Sequence, residues 1–97
     1  MLNSKQRAYL KAVASKLDPV FQVGKGGVSK EQAEGISQYL TAHEIVKIKV
    51  LDNSLTTAHE AAQEIAEMTE SEIVIVIGSK AVLFKRNPKK PVISQDL

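Results

Sequence analysis

The run Ile73-Val74-Ile75-Val76-Ile77 contains no polar residue, and every member is β-branched. Branching at Cβ stiffens the side chain and suits a pleated strand better than a helix. Such a strand has no side to turn toward water, so the run predicts a central strand covered on both faces. It is far too short to cross a bilayer, which takes about 20 residues in a helix. The chain therefore needs helices to cover a sheet, and its 97 residues suffice for one such domain.

The remaining segments supply those layers. From Asn3 to Lys16, the residues Ala8, Tyr9, Ala12, Val13 and Leu17 recur at helical spacing. Asn3 or Ser4 caps the start, and Asp18-Pro19 ends the helix, because the residue before proline is pushed out of the α region. Val20 to Val23 reads as a short strand. Ser29 with Gln32 forms a capping-box pattern ahead of a helix from about Lys30 to Ala42, with Ala33, Ile36 and Leu40 inward. Gly35 within it costs up to about 1 kcal/mol relative to alanine. Either the helix tolerates that cost or something packs close at that point. Ile45 to Leu51 alternates cleanly, with Val46, Ile48 and Val50 on one face and Lys47 and Lys49 on the other. A third helix spans about Thr57 to Met68, and Gly78-Ser79-Lys80 turns the chain into a returning strand, Ala81 to Lys85.

The order α-β-α-β-α-β-β predicts a single α/β (α+β) domain with a mixed four-stranded sheet and three helices. Strands joined through helices pair in parallel, and the final hairpin adds an antiparallel strand. Asn87-Pro88-Lys89-Lys90-Pro91 breaks the pattern. Residues 1–86 are therefore read as the domain and 87–97 as a flexible basic tail.

Net charge is only +2, yet the charges are segregated. Residues 1–30 carry six Lys or Arg against Asp18 alone, and residues 52–72 carry six acids and no Lys or Arg. Residues 80–90 are again purely basic. Folded to different sides, these segments make a basic surface and an acidic one. The basic surface is either an ordinary solvated face or a footprint for a polyanion. The absence of cysteine excludes a disulfide framework, a thiolate metal site and a cysteine nucleophile, and it fits a reducing, cytoplasmic setting. The first eleven residues mix polar and charged types with no apolar core, so no signal peptide is expected. His43 and His59 find neither further zinc ligands nor a serine with an oriented acid, so no metal site and no catalytic residue is expected.

Gly24, Gly26 and Gly27 crowd around Lys25, between a strand and a helix start. A phosphate-gripping Walker A loop is excluded, because in Gly27-Val28-Ser29 a valine stands where the pattern requires lysine. A dinucleotide fingerprint fails at Ser29, the position of its third glycine. The pattern that fits is G-x-x-G, Gly24-Lys25-Gly26-Gly27, opening a helix; in KH domains such a loop clamps a nucleic-acid backbone. Chain without Cβ atoms lets a phosphate approach the main chain, and the amides of the next helix point outward at its positive end. Lys25 adds a mobile charge, and Lys30 sits in a first turn that ordinarily favours an acid. The bland alternative is a strand-to-helix turn that simply needs glycine. Arg7 and Lys11, four apart on one helix face, are either a solvated pair or a phosphate-contacting ridge beside the loop.

Further residues stand in register with that loop. Leu2, Lys5-Gln6-Arg7, Leu10, Leu17-Asp18-Pro19-Val20, Gln22 to Val28, His43-Glu44, Val46 to Val50, Ile77-Gly78 and Val82 to Arg86 together resemble the CRM domain, the chloroplast RNA splicing and ribosome maturation module, in its bacterial single-domain YhbY-type form. The resemblance covers residues 2 to about 88. It implies a fold like the C-terminal domain of bacterial initiation factor 3 with a KH-like loop. It also implies association with large-subunit ribosomal RNA in precursor particles, with no cofactor, no small-molecule substrate and no membrane. RNA-binding positions carry over to Gly24, Lys25, Gly26 and Gly27, and on the first helix to Lys5, Arg7 and Lys11, with Lys30 extending the cationic strip. Family members commonly end the last strand in tyrosine-arginine; Phe84-Lys85-Arg86 here supplies no hydroxyl.

Lys47 and Lys49 are read as keeping an open sheet face or edge soluble. Of the four aromatics, Tyr9, Phe21, Tyr39 and Phe84, three fall on presumed inner faces, so core packing is favoured over base stacking, and their scarcity argues against a stacking platform of the RRM kind. The rival function is a protein-interaction module that works through the acidic third helix.

Overall fold

In the computed structural model, which describes residues 2–54, 56–94 and 97, the elements follow the expected order. They are α1 (Ser4–Ala14), β1 (Phe21–Val23), α2 (Lys30–His43), β2 (Ile45–Val50), α3 (Ala58–Thr69), β3 (Glu72–Ile77) and β4 (Lys80–Phe84). Capping boxes start α1 and α3: Asn3 exchanges hydrogen bonds with Gln6, and Thr57 with Glu60. The bonds from the Thr57 amide and hydroxyl hold the Glu60 carboxyl below its usual range. Ahead of α2 only half the box forms. The Ser29 hydroxyl accepts from the Gln32 amide, but the Gln32 side chain donates to the Gln22 carbonyl and ties the helix start to β1. α1 ends at Ala14, four residues before Asp18. The Lys47 ammonium donates to the carbonyl of Ala14, the last residue of α1, and to that of Leu17 just beyond it, at 3.2 and 3.1 Å.

The four strands form one mixed sheet in the order β1-β2-β4-β3. β1 lies parallel to β2, and β4 runs antiparallel to both β2 and β3. The apolar run therefore occupies an edge, because β4 fills the slot beside β2. The expectation of a central strand is corrected on this point. Polar alternation is missing for two reasons. Helices cover parts of both faces of the sheet, and β3 carries an irregularity: Ile73 pairs with Leu83 but Ile75 with Val82, leaving Val74 as an extra residue. Val74 and Ile75 consequently pack on one side, while Ile73 and Val76 pack on the other.

The two faces build two cores. α2 and α3 bury Ile36, Leu40, Ala61, Ala62 and Ile65 against Val23, Val46, Ile48, Val50, Ala81 and Leu83. α1 lays Leu10 and Ala14 over Ile45, Val74, Val82 and Phe84 on the opposite face. A Cβ on Gly35 would lie 3.5 Å from the Phe21 ring, an ordinary van der Waals contact, so no close approach demands glycine there and the helix tolerates it; the Phe21 ring meets Tyr39 edge-on at 5.8 Å.

Past Arg86 the structure differs from a free tail. Glu44, the left-handed cap of α2 at φ 67°, is fully buried, and its carboxylate accepts from the amides of Asn87, Val92, Ile93 and Ser94 and from the Ser94 hydroxyl. Ile93 and Leu97 pack on the α1-side core. Residues 95 and 96 of the expected tail lie outside the described residues.

Candidate nucleic-acid interface

β1 delivers the chain to the glycine loop at one end of the sheet. Val23 accepts a backbone bond from Leu51, and the Gln32 side chain anchors the far side of the loop to Gln22. Between these ties, the Gly27 amide closes a turn on the Gly24 carbonyl at 3.0 Å. Gly27 has φ +72°, a conformation that strains any residue with a Cβ. Gly26 is different. It has no positive φ, and a Cβ placed on it would meet nothing within 4 Å. Nothing inside the fold requires glycine at position 26.

Lys25 and Lys30 are exposed on either side of this turn, and Ser29 caps α2. The first-turn amides of Lys30 and Glu31 lack intrahelical acceptors, as at any helix start, and face the same side as the dipole's positive end. Glu31 in that turn opposes part of the charge of Lys30. The result is a small anion-receptive corner made of main-chain donors and two lysines, suited to a phosphate rather than to a base edge.

The structure groups the expected RNA-contacting residues in three places. Gly24, Lys25, Gly26, Gly27 and Lys30 share the corner. Lys11 lies across the sheet, on the groove between α1 and the β3–β4 hairpin. Lys5 stands near the chain end, beside Tyr9 and Leu97. Arg7 belongs to none of them: its Nη1 donates to the Ile73 and Val74 carbonyls at 2.8 Å each, and Nη2 lies 3.6 Å from the Glu72 carboxylate. Those carbonyls flank the irregularity of β3, on the sheet edge opposite β1. The continuous ridge expected from the i,i+4 spacing of Arg7 and Lys11 is therefore split, and Arg7 is occupied in closing an exposed strand edge.

Two further cations gain weight from the fold. Lys49 and Lys80 are directly opposed across β2 and β4, and that rung runs from Gln22 on β1 to Ile77 on β3. Nothing in the linear chain marks this pairing, because it depends on β4 inserting between β2 and β3. Among the described residues, no group of His, Cys, Asp and Glu could hold a metal, and no helix is long and apolar enough to cross a membrane.

The sequence profile of the CRS1 / YhbY (CRM) domain matches residues 2–85. Over 87 residues the chain is 37% identical to "Probable RNA-binding protein YqeI" of Bacillus subtilis (strain 168), spanning 90% of this chain and 91% of that protein. It is 31% identical over 84 residues to a Haemophilus influenzae protein named "RNA-binding protein", spanning 87% and 85% of the two chains. The solution structure of the hypothetical protein SAV1595 from Staphylococcus aureus matches with a TM-score of 0.74 at 38% identity, over 95% of this chain and 99% of that one.

Proposed function

The chain belongs to the CRS1 / YhbY (CRM) domain family, and from that premise we propose that it is a non-enzymatic, cytoplasmic RNA-binding protein that attends large-subunit ribosomal RNA in precursor particles. Gly26 carries the reading: a glycine that neither φ nor packing demands, set between two exposed lysines at a helix start. Relatives that share most of the chain's length bear RNA-binding names, which supports the same ligand class. Recognition runs through phosphates, so the corner positions the protein and reads little sequence. RNA shape or neighbouring ribosomal proteins supply the address.

Two glycine substitutions separate binding from folding. Gly26→Val is expected to leave thermal unfolding unchanged and to weaken binding to a ribosomal RNA fragment about tenfold, by blocking the close approach of a phosphate to the main chain. Gly27→Ala is expected to cost on the order of 1 kcal/mol of stability, because φ is positive there. Undiminished binding by Gly26→Val sinks the reading. The ribosomal assignment is tested by crosslinking in cells and sequencing the attached RNA; enrichment of other transcripts over large-subunit precursors removes it.

A further inference from the structure

α1 covers only part of its face of the sheet. Its buried residues Leu10 and Ala14 sit on Ile45, Val74, Val82 and Phe84, and the helix ends there. The rung Gln22, Lys49, Lys80 and Ile77 lies on the same face toward the glycine loop, and Ile77 is left 65% exposed. Between the last turn of α1 and this bare end runs a groove of about 310 Å³. Ile75, Ile77 and Val82 line it with apolar surface, while Lys11 and Lys80 contribute cations. Its size is at the lower end of small-ligand pockets, roughly 300–1,000 Å³.

The electrostatics of the groove are one-sided. The C-terminus of a helix repels anions, but Lys47 places its ammonium on the Ala14 and Leu17 carbonyls and cancels that field. Among the described residues, the ammonium groups of Lys11, Lys49 and Lys80 form no ion pair and no hydrogen bond. Opposing Lys49 to Lys80 is a like-charge pair across two strands, an arrangement that destabilises a sheet. Fold stability gives no reason to keep it. An anionic ligand gives one, and the apolar lining between the cations requires that ligand to be amphipathic.

We propose that this groove binds an unstacked nucleotide of single-stranded RNA, with the base on Ile75, Ile77 and Val82 and the adjoining phosphates at Lys11, Lys49 and Lys80. The proposal rests on the RNA-binding reading and deepens it. The rung leads from β1, which carries the glycine loop, to β3 over three interstrand spacings of about 4.8 Å each, a span of roughly 14 Å. One short stretch of RNA then lies with its backbone on the loop and a base turned into the groove. A regular duplex keeps its bases stacked and has none to insert, so the surface selects single strands or loops. The aliphatic lining also accounts for binding without an aromatic platform.

The test measures fluorescence anisotropy of the full chain with a labelled oligouridylate and, in parallel, a labelled RNA duplex. Lys80→Glu and Ile77→Asn, both at exposed positions, are expected to weaken oligouridylate binding about tenfold and threefold, with a smaller effect on the duplex. The slope of log affinity against log salt is expected to flatten by about 0.7 for each phosphate no longer neutralised. Lys25→Glu reports on the loop, and Lys90→Glu controls for general charge. If the groove variants weaken binding no more than Lys90→Glu while Lys25→Glu binds poorly, the groove proposal falls and the loop reading stands. If Lys25→Glu also binds normally, both fall. Photocrosslinking of unsubstituted protein to thiouridine-bearing oligomer gives an independent answer. Adducts at residues 75–80 are expected, and adducts confined to residues 24–30 overturn the proposal. Retention of polyglutamate in preference to oligouridylate overturns it too, by assigning the groove to an acidic peptide.

Discussion

Replacing Glu44 with alanine is expected to lower the stability of the domain by about 3 kcal/mol, mostly through loss of the carboxylate interactions, and to release residues 87–94. The Glu44 carboxylate gathers this segment onto the domain. Oε1 takes the amides of Val92, Ile93 and Ser94 at 2.6, 2.9 and 3.0 Å, and Oε2 takes the Asn87 amide and the Ser94 hydroxyl at 2.6 and 2.7 Å. Three successive amides converging on one oxygen form a concave anion site, here filled from within the chain. With the carboxylate gone those amides turn to water, and Ile93 leaves its place on the α1-side core. For a domain of this size the loss corresponds to a fall in Tm on the order of 12–24 °C. Glu44→Gly is the informative companion. It relieves the left-handed backbone at φ 67° but restores no acceptor, so it is expected to recover about 1 kcal/mol of the loss and to leave the segment free. Amide exchange at Val92, Ile93 and Ser94 reads the release directly. Continued protection of these amides in Glu44→Ala means that packing alone holds the segment.

The same carboxylate sets an acid limit on stability. Burial by itself raises the pKa of Glu44, but the amides of Asn87 and Ser94, the Ser94 hydroxyl and the Val92 amide outweigh it and bring the value down to about 2. In the unfolded chain the group titrates near 4.5. A folded pKa below the unfolded one means that the contribution is complete above about pH 4.5 and is lost as pH falls from there toward 2. Its size over that window is about 3 kcal/mol. The difference in urea stability between the wild type and Glu44→Gln isolates this group from the other carboxylates. It is expected to be flat above pH 5 and to shrink steadily below it; a constant difference down to pH 2.5 contradicts the assignment.

How the sequence speaks depends on how local the physics is. The helices are marked by side chains within a turn of one another, so Asn3 with Gln6 and Thr57 with Glu60 announce their starts. The glycine loop is legible for the same reason, since its turn closes within four residues. Long-range pairing is not. The five β-branched residues of β3 look central, and only the insertion of β4 makes them an edge. Lys49 and Lys80 gain meaning as a pair only once that insertion sets them opposite each other. Glu44 carries no local sign of its burial either. Its partners stand more than forty residues away, in a Pro- and Lys-rich segment whose composition reads as tail.

Arg7→Glu is expected to destabilise the domain by about 2–3 kcal/mol, while the protein that remains folded binds RNA as the wild type does apart from a general charge effect. The helical spacing sets Arg7 with Lys11 on a phosphate-contacting ridge, and the two roles make opposite predictions. In the structure its guanidinium is spent on the Ile73 and Val74 carbonyls at the edge of β3, beside Glu72. A glutamate there removes both bonds, sets two carboxylates side by side and leaves two outward carbonyls open at an unpaired strand edge. The Arg7–Glu72 pair itself is a third exposed on each side and contributes little, so the carbonyl bonds carry most of the loss. Arg7→Lys is expected to keep about half the stability, since an ammonium is a point donor without the guanidinium's planar fork. Binding measured well below the melting point settles the role. A loss with Arg7→Glu as large as that with Lys25→Glu, at unchanged Tm, returns Arg7 to the RNA surface and detaches it from the β3 edge.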